Sequence, residues 1–446
     1  MNFLKTDLLK DRIPKAILLF SVPILLSNLF QAFYNTADTM IVGHLLGDDA
    51  LAAMGSCAAL YELITGFATG VGTGFSIITA KYFGAGDHEK LRKTVAASLV
   101  LGLGITVFLS AAAILGLRPF LKVLETPETI FQESYSYISV IAVFMVVFFA
   151  YNLCAGLLRA IGDSMTPLFF LIFSSLLNIV LDYAFIRFLH MGVAGTAIAT
   201  IVSQGISAVL CFLYMIRRYR TLLLPKRDDF RPEGGLWTEL LKQGLSVGFM
   251  MAIVMIGSTV IQRPLNRLGT VTIAAYLSGR KIYSFLLMPL ICIPSALSTF
   301  VSQNSGAGQT ERISKGVTFA HAVATAWCLA CIVIALFFGQ ALTAAVSGSS
   351  TPSLIENGAR YVLVNTFFFP FLGVLGNLRY AMQGLGEKVV PVVSSGIELA
   401  GKILFAIFII PKLGFLGIIL CEPVLWVIMF LHLVIAFYGR KRNRLF

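Results

Sequence analysis

Apolar stretches of about 20 residues recur about a dozen times along this chain of 446 residues. They begin near residues 16, 51, 94, 130, 164, 192, 237, 272, 315, 357, 389 and 413. An α-helix of about 20 residues crosses roughly 30 Å of hydrocarbon, the thickness of a bilayer core. Hydrophobic residues make up 57% of the chain and charged residues only 13%, far from the averages of soluble proteins. The sequence therefore predicts an all-α integral membrane protein with twelve transmembrane helices.

Basic residues cluster in alternate loops, which marks one side of the predicted membrane protein. These loops are residues 81–93, 217–231, 312–315 and the tail 440–444. The opposite loops carry acids and few cations: Asp48, Asp49, Glu125 and Glu128. The positive-inside rule then places both termini in the cytoplasm, as an even number of helices requires, with the protein in the plasma membrane. The same distribution accounts for the net charge of +12 without a nucleic-acid partner.

All cysteines lie inside apolar windows, at positions 57, 154, 211, 292, 328, 331 and 421. Cys328 and Cys331 have the spacing of metal ligands, but no His and no second cysteine pair accompanies them. We therefore expect the cysteines to pack as small hydrophobic residues.

The sequence repeats itself at a spacing of about 222 residues. Matching loop signatures are Gly84-Ala-Gly86 with Gly306-Ala-Gly308, Gly192-x-x-Gly195 with Gly414-x-x-Gly417 and, at a spacing of 224, Gly162 to Pro167 with Gly386 to Pro391. Six helices separate the repeats, so both halves start on the same side of the membrane, as in transporters that rock two bundles around a central cavity. We predict an amino-terminal six-helix lobe (1–216), a cytoplasmic linker (217–235) and a carboxyl-terminal six-helix lobe (236–446).

Polar side chains form stripes on three predicted helices of the first half. Asp38 and Asp182 lie within apolar windows, where an ionisable residue is a functional-site candidate. Residues that share a helix face are Ser27, Gln31, Asn35 and Asp38; Ser174, Asn178 and Asp182; and Thr196, Thr200 and Gln204. The matching helices carry no basic residue that would neutralise the acids. The stripes indicate a shared aqueous cavity, and its two acids suit it to cations.

At these positions the chain resembles the multidrug and toxic compound extrusion (MATE) family of secondary transporters, over nearly its whole length. The residues that carry the resemblance are Gln31 to Gly43, Asn178 with Asp182, Gly192 to Thr200, and the duplicated Gly-Ala-Gly loops. The resemblance implies drug:cation antiport through a V-shaped pair of six-helix lobes. It is strongest to the DinF-type branch, whose amino-terminal lobe holds the cation. That site, a candidate for Na⁺ as well as H⁺, maps to Asp38, Asn178, Asp182 and Thr200, with Thr196 as a neighbour.

The second half differs from the first in charge. Another branch of the family places coupling acids in the seventh and tenth helices, yet residues 246–265 and 361–380 contain no acid. The sequence therefore favours cation selection by the first half alone.

Three charged residues of the second half have an undecided role. Glu398 and Lys402 are spaced i, i+4 with the acid first, an orientation that favours pairing. They form either a neutralised structural pair or a part of the cavity wall. Glu422 aligns with Thr200 at a spacing of 222. Its candidate partners are Lys402, Arg280 and Lys281.

Aromatic and amide side chains of the predicted spans are candidates for binding substrate. Flat organic cations can stack on aromatic rings. Together with the charged pair, the predicted cavity residues are Gln31, Tyr34, Asn35, Asn152, Gln204, Tyr276, Glu398 and Lys402.

The combined pattern predicts a secondary active antiporter that exports amphipathic, often cationic organic compounds in exchange for H⁺ or Na⁺ by alternating access. Desolvation and mutual repulsion oppose the ionisation of two neighbouring acids. A proton or Na⁺ that relieves the repulsion stabilises one conformation over the other and shifts their populations. We expect a monomer in the lipid bilayer, small organic molecules as its substrates and no cofactor.

Other functions fit the sequence less well. A flippase of lipid-linked saccharides with similar architecture would need a cationic cavity for the pyrophosphate, whereas the first half is acidic. A membrane enzyme acting on lipid head groups would need a reactive set, yet the chain has no HExxH motif and its five His residues are scattered. A channel is disfavoured because duplication with asymmetric charge points to alternating access. We therefore predict a transporter and not an enzyme.

Overall fold

The computed structural model describes residues 6–123 and 126–442, and every regular element in these two ranges is helical. The α-helices are α1 (Ile13–Leu46), α2 (Asp48–Gly84), α3 (His88–Val123), α4 (Glu128–Val143), α5 (Met145–Ala160), α6 (Met165–Arg187), α7 (Gly192–Leu223), α8 (Gly234–Asn266), α9 (Thr270–Gly306), α10 (Thr310–Ser347), α11 (Pro352–Gly384), α12 (Val389–Leu404), α13 (Ile410–Leu413) and α14 (Phe415–Arg442). A 3-10 turn (Arg227–Phe230) precedes α8, and a π-helical turn (Phe405–Ile409) joins α12 to α13.

Eleven of the described helical segments are long and apolar enough to cross a membrane, among them the continuous stretch Val389–Leu413. α4 and α5, which are bent by 48° at a short break, make a twelfth when they count as one span. The predicted all-α membrane fold is thereby confirmed. Its orientation remains a prediction, because Glu125 and the side chains of 440–444, on which it partly rests, lie outside the described residues.

The break between α4 and α5 lies at Phe144 and was not predicted. The Val147 amide donates to the Phe144 carbonyl at 2.9 Å, an i to i+3 bond that tightens the chain into a short turn. The surrounding residues are continuously apolar and include neither Gly nor Pro between 138 and 150. Gly and Pro are the usual sequence signals for such a bend, so this bend could not be predicted from the sequence.

The described residues form two compact units. Unit 1 comprises the described residues up to Leu9 together with Val22–Ala252, and unit 2 comprises Lys10–Ser21 together with the described residues from Ile253 onward. α1 and α8 therefore contribute to both. The lobe limits drawn from the repeat, at 216 and 236, stay a sequence-based prediction.

Each unit has its own apolar core. In unit 1, Phe75 and Phe149 pack edge to face with ring centroids 6.3 Å apart, among buried side chains of α2, α3, α5 and α7. In unit 2, the Tyr283 and Trp426 rings stack at 6.3 Å. Cys328 is fully buried in the same core. The seven cysteines are all buried in the structure, which confirms that they pack as apolar residues.

Residues of the predicted linker are tied to unit 1 by ion pairs. Asp229, only 5% exposed, accepts from the Arg92 guanidinium at 3.2 Å and from the Lys226 backbone amide at 2.8 Å. Farther along, the Glu239 carboxylate accepts from Lys81 at 2.9 Å. The linker is therefore held against α3, and the first turns of α8 are held against α2.

Glycines let α2 and α8 touch within unit 1. A Cβ atom placed on Gly70 would lie 2.7 Å from the Val247 carbonyl oxygen, and one on Gly74 would lie 2.6 Å from that of Gln243. Both distances are shorter than van der Waals contact, and the obstructing atoms are backbone. The absence of side chains at Gly70 and Gly74 therefore permits the close contact between the two helices.

We expect Gly74→Ala to destabilise the protein, because the added methyl group forces the two backbones apart. Overpacking of this kind typically costs about 1–3 kcal/mol. Thermal unfolding of the purified variant measures it. Gly55→Ala, on the same helix with no atom within 4 Å of its added Cβ, is the matched control. Equal melting temperatures for the two variants would contradict the proposed contact.

Candidate functional site

Asp182 on α6 is the most unusual side chain in unit 1. It is fully buried, and neither carboxylate oxygen has a hydrogen-bond partner among the described residues. Two other polar residues of the same helix face, Ser174 and Asn178, are 5% and 2% exposed. A buried carboxylate without partners is strongly destabilised. It is stabilised again when it takes up a proton or contacts a cation.

Asp38 on α1 supplies the second acid. Its carboxyl group lies close enough to that of Asp182 for the two to interact directly, and its Oδ1 atom is buried without a hydrogen-bond partner. The neighbouring hydroxyls of Thr36 and Thr39 donate to backbone carbonyls one turn earlier, both at 2.9 Å. These two hydroxyls are therefore hydrogen-bonded within their own helix, whereas the two carboxyl groups remain available to bind a proton or a cation.

Tyr34 joins α1 to the other polar helices. Its side chain is 7% exposed and lies beside the amides of Gln31 and Gln204 and near both carboxyl groups. Residues from α1, α6 and α7 are therefore brought together in one cluster.

Asn178 and Thr200 complete this cluster. The Asn178 amide nitrogen donates to the Thr200 hydroxyl at 3.4 Å. The Asn178 carbonyl oxygen and the Gln204 carbonyl oxygen are buried without partners. Thr196 is fully buried, and its hydroxyl donates to the Val193 carbonyl at 2.9 Å. We call the group the amino-terminal site, and its members are Tyr34, Asp38, Asn178, Asp182, Thr200 and Gln204.

The amino-terminal site offers oxygen atoms and no basic partner. Five of its buried oxygen atoms lack hydrogen bonds: Asp38 Oδ1, Asn178 Oδ1, Asp182 Oδ1, Asp182 Oδ2 and Gln204 Oε1. Among the described residues, no Lys, Arg or His forms a salt bridge with either acid. Carboxylate and carbonyl oxygens are the ligands that hard cations prefer. The arrangement suits a proton or an alkali cation.

Some predicted cavity residues do not share in these contacts. Asn35 is exposed on α1, and the Asn152 amide donates to the Phe148 carbonyl of its own helix at 2.9 Å. Conversely, Tyr137 on α4 lies within electrostatic range of both acids and was not singled out by the sequence. A signal for it was nevertheless present, because Glu133 and Ser134 lie four and three residues before it on the same helix face.

The charged residues of unit 2 form a second cluster. The Lys402 ammonium, on a side chain 5% exposed, lies 2.8 Å from Glu398 and 3.9 Å from Glu422. The Arg280 guanidinium lies 2.9 Å from Glu422. The predicted pairing of Glu398 with Lys402 is therefore present, and Glu422 has two of its three candidate partners. We call these four residues the carboxyl-terminal network.

The carboxyl-terminal network borders a narrow cavity. Its wall includes Tyr276, Tyr361 and three members of the network, and its interior has about 10 Å³ of space for the centre of a water molecule. A volume of this size holds at most about one water molecule. Pairing and cavity lining, which the sequence left as alternatives for Lys402, both occur.

Comparisons with known proteins agree with this architecture. The family model described as MatE matches residues 23–184 and again residues 247–408, which supports the internal duplication. The chain is 28% identical to "Probable multidrug resistance protein YpnP" of Bacillus subtilis, over 86% of this chain and 85% of the relative. It is 26% identical to "FAD transporter" of Shewanella oneidensis, over 82% and 81% of the two chains.

Solved structures share the fold. A crystal structure of MATE in complex with MaL6 superposes with a TM-score of 0.87 at 22% identity and covers 98% of both chains. A transporter of the MOP superfamily from Pyrococcus furiosus, described as having a binding pocket of reverse polarity, gives a TM-score of 0.84 at 22% identity over 98% of this chain and 99% of that one. Because the MatE model matches both halves of the sequence, this chain belongs to the MatE family of multi-pass membrane transporters and is not an enzyme.

Proposed function

We propose that this protein exports amphipathic, often cationic organic compounds in exchange for H⁺ or Na⁺ by alternating access. The observation that carries the proposal is the fully buried Asp182, whose two oxygen atoms lack partners and whose neighbour is a second acid. The relatives named as multidrug resistance proteins support the class of substrate. The protein acts as a monomer in the plasma membrane with both termini in the cytoplasm, and it needs no cofactor besides the coupling ion.

The amino-terminal site couples ion and substrate through conformational populations. A proton or Na⁺ that enters between Asp38 and Asp182 removes their repulsion and satisfies oxygen atoms that otherwise lack partners. The conformation that best encloses the ion is then stabilised. An ion that binds one conformation about 10⁴-fold better than the other converts a minor state into the major one. Substrate need only favour the opposite conformation. This placement of the ion corresponds to the DinF-type branch.

An anionic substrate is a second candidate because one relative is named an FAD transporter. The distribution of charge disfavours an anionic substrate. In unit 1 the acids Asp38 and Asp182 have no basic partner among the described residues, and in unit 2 the bases Arg280 and Lys402 already contact Glu422 and Glu398. A dinucleotide would have to displace these acids from the bases, whereas an organic cation meets no such competition. The same argument disfavours a pyrophosphate-linked lipid.

Reconstitution in liposomes tests the proposal. Purified protein is placed in vesicles that contain a pH-sensitive dye, and ethidium is added under an imposed H⁺ or Na⁺ gradient. We expect ethidium to move against its own gradient and to dissipate the ion gradient in parallel. FAD, added in a second series, is expected to produce no ion movement. Ethidium movement without any counter-movement of H⁺ or Na⁺ would refute antiport, and FAD-driven ion movement would favour the anionic alternative.

We further expect Na⁺ and H⁺ to compete for the amino-terminal site, because protonation of either acid removes both a ligand and a charge. The apparent Na⁺ affinity should therefore fall as the pH is lowered. Asn178→Ala, which deletes a neutral oxygen ligand, should weaken Na⁺ binding more than it weakens proton-driven efflux. Calorimetry or Na⁺-dependent thermal shift at several pH values measures this, with the exposed Asn266→Ala as control. A Na⁺ effect that is absent at every pH would leave a proton-only site.

A further inference from the structure

We propose that unit 2 contains a repeat-related cation site that is permanently filled by the protein's own ammonium group, that of Lys402. The comparison with unit 1 rests on the proposed cation site there. The experiment that tests the proposal measures cation binding to unit 2 alone, so its outcome does not depend on whether the protein transports ethidium.

The internal repeat aligns two members of the carboxyl-terminal network, Lys402 and Glu422, with two members of the amino-terminal site. At a spacing of 224, Ser174 aligns with Glu398 and Asn178 aligns with Lys402, and at a spacing of 222 Thr200 aligns with Glu422. The structure supports this register within each unit. Asn178 on α6 faces Thr200 on α7 at 3.4 Å, and Lys402 on α12 faces Glu422 on α14 at 3.9 Å.

The two positions differ in whether the protein supplies the cation. In unit 1 the acids Asp38 and Asp182 have no basic partner within the described ranges. In unit 2 the Lys402 ammonium lies 2.8 Å from Glu398, in the place where a mobile cation would be coordinated. A tethered ammonium has the same charge as Na⁺ and cannot leave. A cation site filled in this way does not take up the coupling ion.

Neighbouring residues are shaped to hold this ammonium. Lys402 is 4% exposed, and a Cβ atom placed on Gly257 of α8 would lie 3.1 Å from Lys402 Cδ and 3.7 Å from its Nζ. Gly257 therefore leaves the space that the lysine stem and ammonium occupy. Arg280 is engaged separately, because its guanidinium contacts Glu422 at 2.9 Å and lies 5.6 Å from the centre of the Tyr283 ring.

Removal of the ammonium should open the site to free cations. Lys402→Ala leaves the Glu398 carboxylate without its closest base. It also leaves Glu422 with Arg280 alone, and Glu422 Oε2 is already buried without a hydrogen-bond partner. The vacated space is bordered by carboxylate oxygen atoms, and the remaining groups of the network, Glu398, Glu422 and Arg280, have a net negative charge. Na⁺ and small alkylammonium ions match it in charge and size.

The experiment uses a background in which the amino-terminal site is removed by Asp38→Asn and Asp182→Asn, so that any remaining cation effect belongs to unit 2. Full-length protein with and without Lys402→Ala is purified in detergent. Its melting temperature is measured while N-methylglucamine, a bulky cation, is replaced by Na⁺ or ethylammonium at constant ionic strength. Lys412→Ala, at an exposed lysine of the same unit, is the control.

We expect Na⁺ and ethylammonium to raise the melting temperature of the Lys402→Ala protein by about 2–4 °C or more and to leave the background and the Lys412→Ala protein unchanged. Addition of Glu398→Gln should abolish the shift. If Lys402→Ala does not yield folded protein, Lys402→Met keeps the packing of the stem and carries the same expectation for Na⁺. No shift with either variant, or a shift that persists after Glu398→Gln, would overturn the proposal.

Discussion

Replacement of Asp182 by Asn is expected to abolish coupled export and to leave a folded protein. Asn has nearly the same shape, and no donor among the described residues is assigned to either Asp182 oxygen. The variant cannot be protonated and presents no charge to Na⁺. The ion then no longer distinguishes the two conformations, so the gradient cannot drive substrate. Asp38→Asn is expected to have the same effect, since it removes the second acid.

Cellular ethidium accumulation at matched membrane expression measures this loss. Both variants should accumulate ethidium to the level of cells with an empty vector. Asp49→Asn, which removes an exposed acid in the first turn of α2, is the control and should export normally. The melting temperature of Asp182→Asn should equal or exceed that of the wild type, because a buried charge without a partner has been removed. Full efflux by either site variant would show that the acids are not required.

The second large effect is expected at Lys402. Lys402→Met alone leaves the Glu398 carboxylate, whose side chain is 13% exposed, without its basic partner. Breaking a buried ion pair in this way typically lowers the free energy of unfolding by about 3–5 kcal/mol. Glu398→Gln alone should cost less, because Glu422 still lies 3.9 Å from the ammonium. The double variant Glu398→Gln with Lys402→Met removes both charges and should be more stable than Lys402→Met alone. Replacing a buried pair by neutral side chains is often nearly without cost.

Thermal unfolding of the three variants in one detergent tests this order. Glu311 and Lys315 provide a matched control pair with the same i, i+4 spacing and an N to O distance of 2.7 Å, but their side chains are 82% and 64% exposed. Lys315→Met should change the melting temperature little, because exposed pairs contribute little to stability. If the double variant at 398 and 402 is the least stable of the three, Glu398 and Lys402 do not compensate each other's charge and the pairing hypothesis is wrong.

Local geometry explains which features the sequence predicted well. Helical spans follow from apolar windows long enough for a bilayer, and eleven or twelve of them are present among the described residues. Residues three or four apart share a helix face, so the spacing alone grouped Asn178 with Asp182 and Glu398 with Lys402. The repeat likewise needs only the order of residues, and the family model matches at both copies.

Contacts between residues far apart in the chain could not be predicted from local spacing. The sequence suggested that Asp38 and Asp182 share a cavity, but only the approach of α1 to α6 and α7 leaves their oxygen atoms buried and without hydrogen-bond partners. For Glu422 the sequence offered three bases, and the approach of α9 to α14 selected Arg280 at 2.9 Å with Lys402 farther away.

The bend at Phe144 and the approach of Tyr137 to the acids also depended on tertiary packing. The bend has no local signal, because the chain around Phe144 is continuously apolar. Tyr137 lies on a polar helix face with Glu133 and Ser134, but the spacing does not say which helices that face meets. The sequence by itself determined the helices, the repeat and the chemistry that each helix face carries, since those depend on residues a few positions apart. Only the tertiary structure decided which faces meet and which charges stay unpaired, because that depends on how helices far apart in the chain pack together.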